Sequence, residues 1–206
     1  MSIVSAIVAL AQAIASDVSK LAPAYHPGLV AGRYYMAPYL TLANSALSAN
    51  TMYFSPVMIP HKCTVSELGG VVTTGATGNC RFALFKVAKG VLTLVAQTGD
   101  ISTATAGVKS GSVSATVEAG TYFLAILCSG TPTINVSAAG PGFGGAERGA
   151  FYGQSAPTNV TSSSTFEALA QAVQTYGTIP SGSTSMSALA FVGSQLSPHL
   201  FYRISA

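Results

Sequence analysis

Six carboxylates serve the whole 206-residue chain: Asp17, Glu67, Asp100, Glu118, Glu147 and Glu167. Hydrolysis of a glycosidic bond needs two carboxyl groups flanking that bond. A pair such as Asp100 with Glu147 would have to be brought together by folding. Asp100 follows Gly99 at a strand end and reads as a turn former, and Glu118 opens the corner Glu118-Ala119-Gly120. Glu67 reads as a strand carboxylate satisfied near Lys62. The three histidines, His26, His61 and His199, each sit beside a proline and form no HxH or HExxH pattern. That spacing does not hold a metal. Cys63, Cys80 and Cys128 are odd in number and widely spaced, without CxxC or a Cys/His cluster. They lie in apolar, strand-like runs and read as small buried hydrophobes of a chain folded in a reducing compartment. Serine is plentiful but G-x-S-x-G is absent, and Gly140-Pro-Gly-Phe-Gly-Gly145 fails the dinucleotide spacing. Asn135-Val-Ser and Asn159-Val-Thr are sequons of the kind that chance supplies in a Ser/Thr-rich chain. The expectation is a protein without catalytic residues, metal or cofactor, and not an enzyme.

Composition narrows the class further. Charged residues make up 7% of the chain, against about 25% in ordinary globular proteins. A chain that is 49% hydrophobic is not disordered. Nine basic and six acidic residues give a net charge of +3 and form no run. Nucleic acids are bound by clustered Lys and Arg that displace counterions, so that partner is not expected. Sparse charge leaves little self-repulsion between copies, which favours an oligomer or docking into an assembly.

The segment 1–22 has helical period. Ile3, Ile7, Leu10 and Ile14 recur at heptad spacing, Leu21 falls one heptad later, and Val4, Val8, Ala11, Ala15 and Val18 form a second stripe alongside. A face this wide must pack, on its own domain or on copies of itself. Isoleucine at both core positions leans towards trimers or higher states. Pro23 and Pro27-Gly28 end the helix and open a linker and lead-in over 23–50. A cleaved signal is the competing reading, since Ala13-Ile14-Ala15 resembles a cleavage site, but no Lys or Arg precedes the apolar run. The run is also too short and too rich in Ala and Ser for a membrane span.

From residue 51 onward the period is two. Strands are expected at 52–59, 64–73, 80–87, 91–97, 112–117, 121–128, 133–137 and 199–205, with turns at 73–79 and 88–90. Met52 to Ile59 is the first of them, with Pro56 at an edge or bulge. Small residues from Ala43 to Ala49 would let backbone pass close to another surface. Tyr122, Leu124 and Ile126 share one face of their strand and Phe123, Ala125 and Leu127 the other, so that strand is buried between layers or lies between a core and a neighbouring subunit. Strands of this number and spacing predict a mainly β head domain over 51–206, an antiparallel β-sandwich of jelly-roll type, with a coiled-coil-like α-helix in front. The stretch 138–185 is a long excursion before the last strand, and Phe166, Leu169, Val173 and Tyr176 read as one face of a short helix within it.

The segments "MYFSPVMIP", "ELGGVVTTGATGNCRFALFKV", "GDISTATAGVK", "AGTYFLA" and "SPHLFYRIS" carry a family resemblance. Together they make most of residues 35–206 similar to the β-sandwich domains that end bacteriophage tail fibres and related virion fibres. The resemblance implies a homotrimer on the virion exterior, made in the bacterial cytoplasm. Its N-terminal coiled segment would join other virion proteins, and its head would bind a host-surface glycan or protein. Such fibre chains are often far longer in front of the head.

Aromatic rings and uncharged hydrogen-bonding groups suit carbohydrate, which makes Tyr152, Gln154, Asn159 and Tyr176 the candidate receptor contacts; subunit-interface packing is the plainer reading of the tyrosines. Two alternatives stand beside this one. The first is a structural virion protein, such as a capsid decoration, head fibre or tail connector, without receptor binding. The second, more remote, is a depolymerase acting on surface polysaccharide.

Overall fold

The computed structural model describes residues 3–20, 28–36, 42–137, 167–177, 179, 181–193 and 197–205. Among these residues one α-helix, α1 (Ile3–Lys20), precedes fifteen strands. These are β1 (Tyr34–Met36), β2 (Leu42–Ala46), β3 (Thr51–Ile59), β4 (Cys63–Thr74), β5 (Asn79–Ala88), β6 (Val91–Gln97), β7 (Ile101–Ser102) and β8 (Gly107–Val117). There follow β9 (Gly120–Cys128), β10 (Thr133–Ser137), β11 (Glu167–Val173), β12 (Thr184–Ser185), β13 (Ala190–Gly193), β14 (Ser197–Pro198) and β15 (Leu200–Ser205). All pairings among them are antiparallel.

The strands form two sheets. The first runs β1-β15-β4-β10-β14, with β8 also on β4 and β2 on β10; the second runs β12-β6-β5-β9-β3-β11-β13, with β7 on β5. One core lies between them, fed by every second residue of the long strands. Val65, Leu68 and Val72 of β4 and Leu200, Tyr202 and Ile204 of β15 come from the first sheet. Tyr53, Val57 and Ile59 of β3, Phe82 and Leu84 of β5, and Leu124 and Ile126 of β9 come from the second. This is the strand period of two expressed as burial. Tyr122 is buried in the same core, and its hydroxyl donates to the Glu118 carbonyl at 2.8 Å, so the ring enters without an unsatisfied polar end. Ser55, the polar member of β3's inner face, is buried against β14, with its Oγ 2.8 Å from Ser197 Oγ.

A second apolar cluster covers the opposite face of the second sheet. Met52, Phe54, Phe85, Phe123, Ala125 and Leu127 meet Ile179 and Leu189 there, with Tyr176 and Met186 packed alongside. The end of the long excursion and the short segment leading into β13 therefore act as a cover. Gln97 pins it by donating to the Ile179 carbonyl and accepting from the Ile179 N–H, both at 3.0 Å. The Met186 N–H donates to the Gly90 carbonyl at 2.7 Å. The expected double-sided burial of β9 is thus present, with the core beneath it and the cover above.

Several expectations change. Of the residues read as a helical face within the excursion, Leu169 and Val173 are strand: Glu167–Val173 is β11, paired with β3 on one side and β13 on the other, while Tyr176 lies in the bend after it and Phe166 lies outside the described residues. Helical period in a run of seven residues is a weak local preference, and the free edge of β3 supplies a ladder that outweighs it. Residues 34–36 and 42–46, inside the stretch read as linker and lead-in, are strands of the first sheet. The small residues Ala43 to Ala46 lie directly against β10, in the close backbone approach their size suggests. The strand expected at 112–117 begins at Gly107, because β8 follows β4 as far as Val72. Glu67 is satisfied, but by Tyr34 and Arg203 rather than by Lys62, which pairs with Glu118 at 2.7 Å. Pro56 lies two residues beyond Phe54, where the β11 pairing begins. The turn at 88–90 is formed by Lys89 and Gly90, both at positive φ (50° and 74°), the two-residue hairpin geometry expected of Gly90.

Candidate functional site

Helix α1 has one apolar face, and among the described residues its first three turns are uncovered. Ile3 is 79% exposed, Ile7 61% and Leu10 62%, and Val4 and Val8 of the neighbouring stripe are exposed as well. In proteins an amphipathic helix of this kind, eighteen residues long, draws most of its stability from what its apolar face packs against. Burying each Ile or Leu is worth about 1.5–3 kcal/mol. The side chain of Ile14, and Leu21 altogether, lie outside the described residues.

A polar cluster joins β5, the loop after β6 and the cover. Arg81 extends from β5, and its Nε donates to Asp100 Oδ1 at 2.5 Å. Tyr176 donates its hydroxyl to the same oxygen at 2.8 Å, and its backbone N–H donates to Asn50 Oδ1 at 2.8 Å. The Arg81 guanidinium carbon lies 6.0 Å from the centre of the Tyr176 ring. Donation from Arg81, then from Tyr176, holds the Asp100 carboxyl below its usual range. Burial, reinforced by the Asp100 hydrogen bond, pushes the Tyr176 phenol up. Asp100 therefore stays ionised, and the phenol stays protonated and engaged. Among the described residues no proton acceptor is poised over a nucleophile here, and the cluster's ionised carboxylate, phenol and guanidinium can position and recognise. Its exposed carboxylate and the edge of a half-buried ring suit hydroxyl-bearing ligands.

A second cluster lies on the outer face of the first sheet. Tyr34 of β1 is exposed and packs edge-on to Phe201 of β15, with ring centres 5.3 Å apart. The Arg203 guanidinium carbon sits 5.4 Å from the Tyr34 ring centre, and the Tyr34 hydroxyl donates to Glu67 Oε2 at 3.1 Å. Beneath the cover is a cavity of about 230 Å³ of mixed lining, with Met52, Phe54, Phe85 and Leu189 beside Gln174 and Thr184.

Of the residues expected to contact a receptor, Tyr176 is the one placed, in the Asp100 cluster; Tyr152, Gln154 and Asn159 lie outside the described residues. Glu147, the proposed mate of Asp100, also lies outside them. Arg81, the partner that Asp100 does have, was not singled out from the sequence. The signal available was a single guanidinium in the otherwise apolar run Cys80-Arg-Phe-Ala-Leu-Phe85. Among the described residues no group of His, Cys, Asp and Glu could hold a metal, and no helix is long and apolar enough to cross a membrane. No protein-family model matches the sequence, and no curated protein is significantly similar to it.

Proposed function

We propose that the chain is a homotrimeric virion fibre or spike subunit of a bacteriophage, with a head domain that binds the host cell surface. The observation that carries this reading is the uncovered heptad face of α1 in front of a charge-poor β domain. Three copies joined along Ile3, Ile7, Leu10, Ile14 and Leu21 would bury that face. The outer end of such an assembly would engage other virion proteins. We read the two antiparallel sheets as a β-sandwich of jelly-roll type, and the Tyr122–Glu118 bond resembles the tyrosine corner of Greek-key sandwiches. Tyr176, with the Asp100 carboxylate beside it, is the receptor contact that we favour, together with Tyr152, Gln154 and Asn159 from the excursion. A ring edge among uncharged donors and one carboxylate suits a glycan.

The test is light scattering after size exclusion, on the full chain and on a chain beginning at Ala22, followed by glycan-array binding of the same samples. The expected result is a mass three times the 20.8 kDa of one chain, falling to a single chain on truncation, with array signal lost in Tyr176→Ala. A monomer before and after truncation overturns the fibre reading. A trimer that binds no glycan and adds heat resistance to particles favours the purely structural virion role.

A further inference from the structure

Cys80 and Cys128 are 48 positions apart in sequence, yet β5 and β9 set them directly opposite one another. Both are fully buried, on the core side of the second sheet, and both are free thiols. In an antiparallel pair, opposed residues alternate between those that exchange backbone hydrogen bonds and those that do not. The neighbouring pair settles which kind this is. The Ser129 N–H donates to the Asn79 carbonyl at 2.9 Å, and the Asn79 N–H donates to the Ser129 hydroxyl, so Asn79 and Ser129 turn their backbone groups towards one another across the pair. The Cys128 carbonyl accepts from the Asn50 N–H at 2.9 Å, on the β3 side and away from β5. Along β5 the Phe82 carbonyl, two residues on from Cys80, accepts from the Thr98 N–H on the side away from β9. Cys80 and Cys128 therefore form a non-hydrogen-bonded pair. Such pairs bring Cα atoms to about 4.5 Å, just inside the range a disulfide spans. Directly opposed residues of a pair project from the same face of the sheet, and both cysteines belong to the one buried core cluster on that face.

We propose that Cys80 and Cys128 are a redox site, a cross-strand dithiol that a small disulfide such as oxidised glutathione converts into a β5–β9 disulfide. One thiolate attacks the oxidant, forms a mixed disulfide and releases one glutathione thiol. The second cysteine then displaces the other glutathione thiol. Two S–H bonds are lost and one S–S bond forms, and the two electrons and two protons leave on the two glutathione thiols. The hydrogen bond to Cys80 and burial push the Cys128 thiol well above the usual thiol range, so the folded dithiol reacts slowly and exchange belongs to the opened or folding chain. Strand register alone carries this pairing, and it holds whether or not the chain is a fibre subunit.

The test refolds the full chain from denaturant in a glutathione redox buffer, in a Cys63→Ala background that removes the third thiol. Intact mass after alkylation in denaturant reads the outcome. Two blocked thiols and a mass lower by two hydrogens are expected, with a linked peptide joining the segments that carry Cys80 and Cys128. The thermal midpoint should rise by several degrees over the reduced chain, and up to about 10 °C for a closed loop of about 50 residues. The control Cys80→Ala with Cys128→Ala should refold without any redox dependence of its midpoint. Full alkylation of both cysteines after oxidative refolding overturns the proposal. So does a linked chain whose midpoint is unchanged or lower.

Discussion

Gly69 lies near the middle of β4, opposite Phe201 of β15 on one side and Ser110 of β8 on the other. Substitution by alanine tests whether this close approach is real, because two effects of opposite sign compete. In an open strand alanine is favoured over glycine by about 0.5–1 kcal/mol, through the smaller entropy lost on folding. Here a Cβ would run into the Phe201 ring, its nearest obstacle, and come within 2.6 Å of the Lys109 carbonyl oxygen. The ring can swing away, but the carbonyl belongs to the β8 backbone and cannot retreat without loosening its pairing with β4. Overpacking of this kind costs about 1–3 kcal/mol. The carbonyl contact decides the balance, and Gly69→Ala should destabilise by about 2 kcal/mol. For a chain of this length that lowers the thermal midpoint by about 4–8 °C. Urea unfolding measures it through a lower midpoint at constant slope. Phe201→Leu in the same background separates the two obstacles, recovering part of the loss and leaving the share due to the carbonyl. A Gly69→Ala chain as stable as its parent, or more stable, would refute the geometry of all three strands here.

The Asp100 cluster and His199 each give stability a pH dependence that can be tested near its own pKa. Hydrogen bonds from Arg81 and Tyr176 hold the folded Asp100 carboxyl below its unfolded value, so its contribution is present above about pH 4 and is lost as the pH falls through the folded value. Asp100→Asn should flatten the acid limb of midpoint against pH, and an unchanged limb would remove the cluster from the account. Burial lowers the His199 pKa, so below about pH 6.5 the unfolded chain takes up the proton first and stability falls as the pH falls. His199→Asn should remove that slope below about pH 6.5, read by the same titration of midpoints.

How far each element is legible in the sequence depends on how it is buried. β3, β5 and β9 feed the core and carry large apolar residues at alternate positions, so their bounds are readable to within about a residue from period alone. β8 is half visible, because Gly107 to Ser112 is polar and small and belongs to a strand only by following β4. β1, β2 and β11 are held by neighbours rather than by their own pattern. Ala-rich β11 in particular takes its conformation from the open edge of β3. The same limit applies to the site. The ring of Tyr176 marks it as a candidate, but its partners Arg81 and Asp100 come from other elements, and no spacing along the chain announces that meeting. The opposition of Cys80 and Cys128 is equally hidden, since register across a sheet has no signature in the separation of two residues.

The place of β15 has a consequence for how the molecule is made. It lies between β1 and β4, and its Tyr202 pairs with Leu68, a residue translated more than a hundred positions earlier. Until residues 200–205 leave the ribosome, β4 keeps an open flank from Thr64 to Gly70 beside nascent chains of the same sequence. Closing so distant a contact is slow, and an unpaired edge is a template for strands of other copies. Synthesis arrested anywhere short of Leu200 would therefore yield chains that cling to one another in a non-native way. Holdase chaperones would be needed most in that interval, before the sheet receives the strand between β1 and β4.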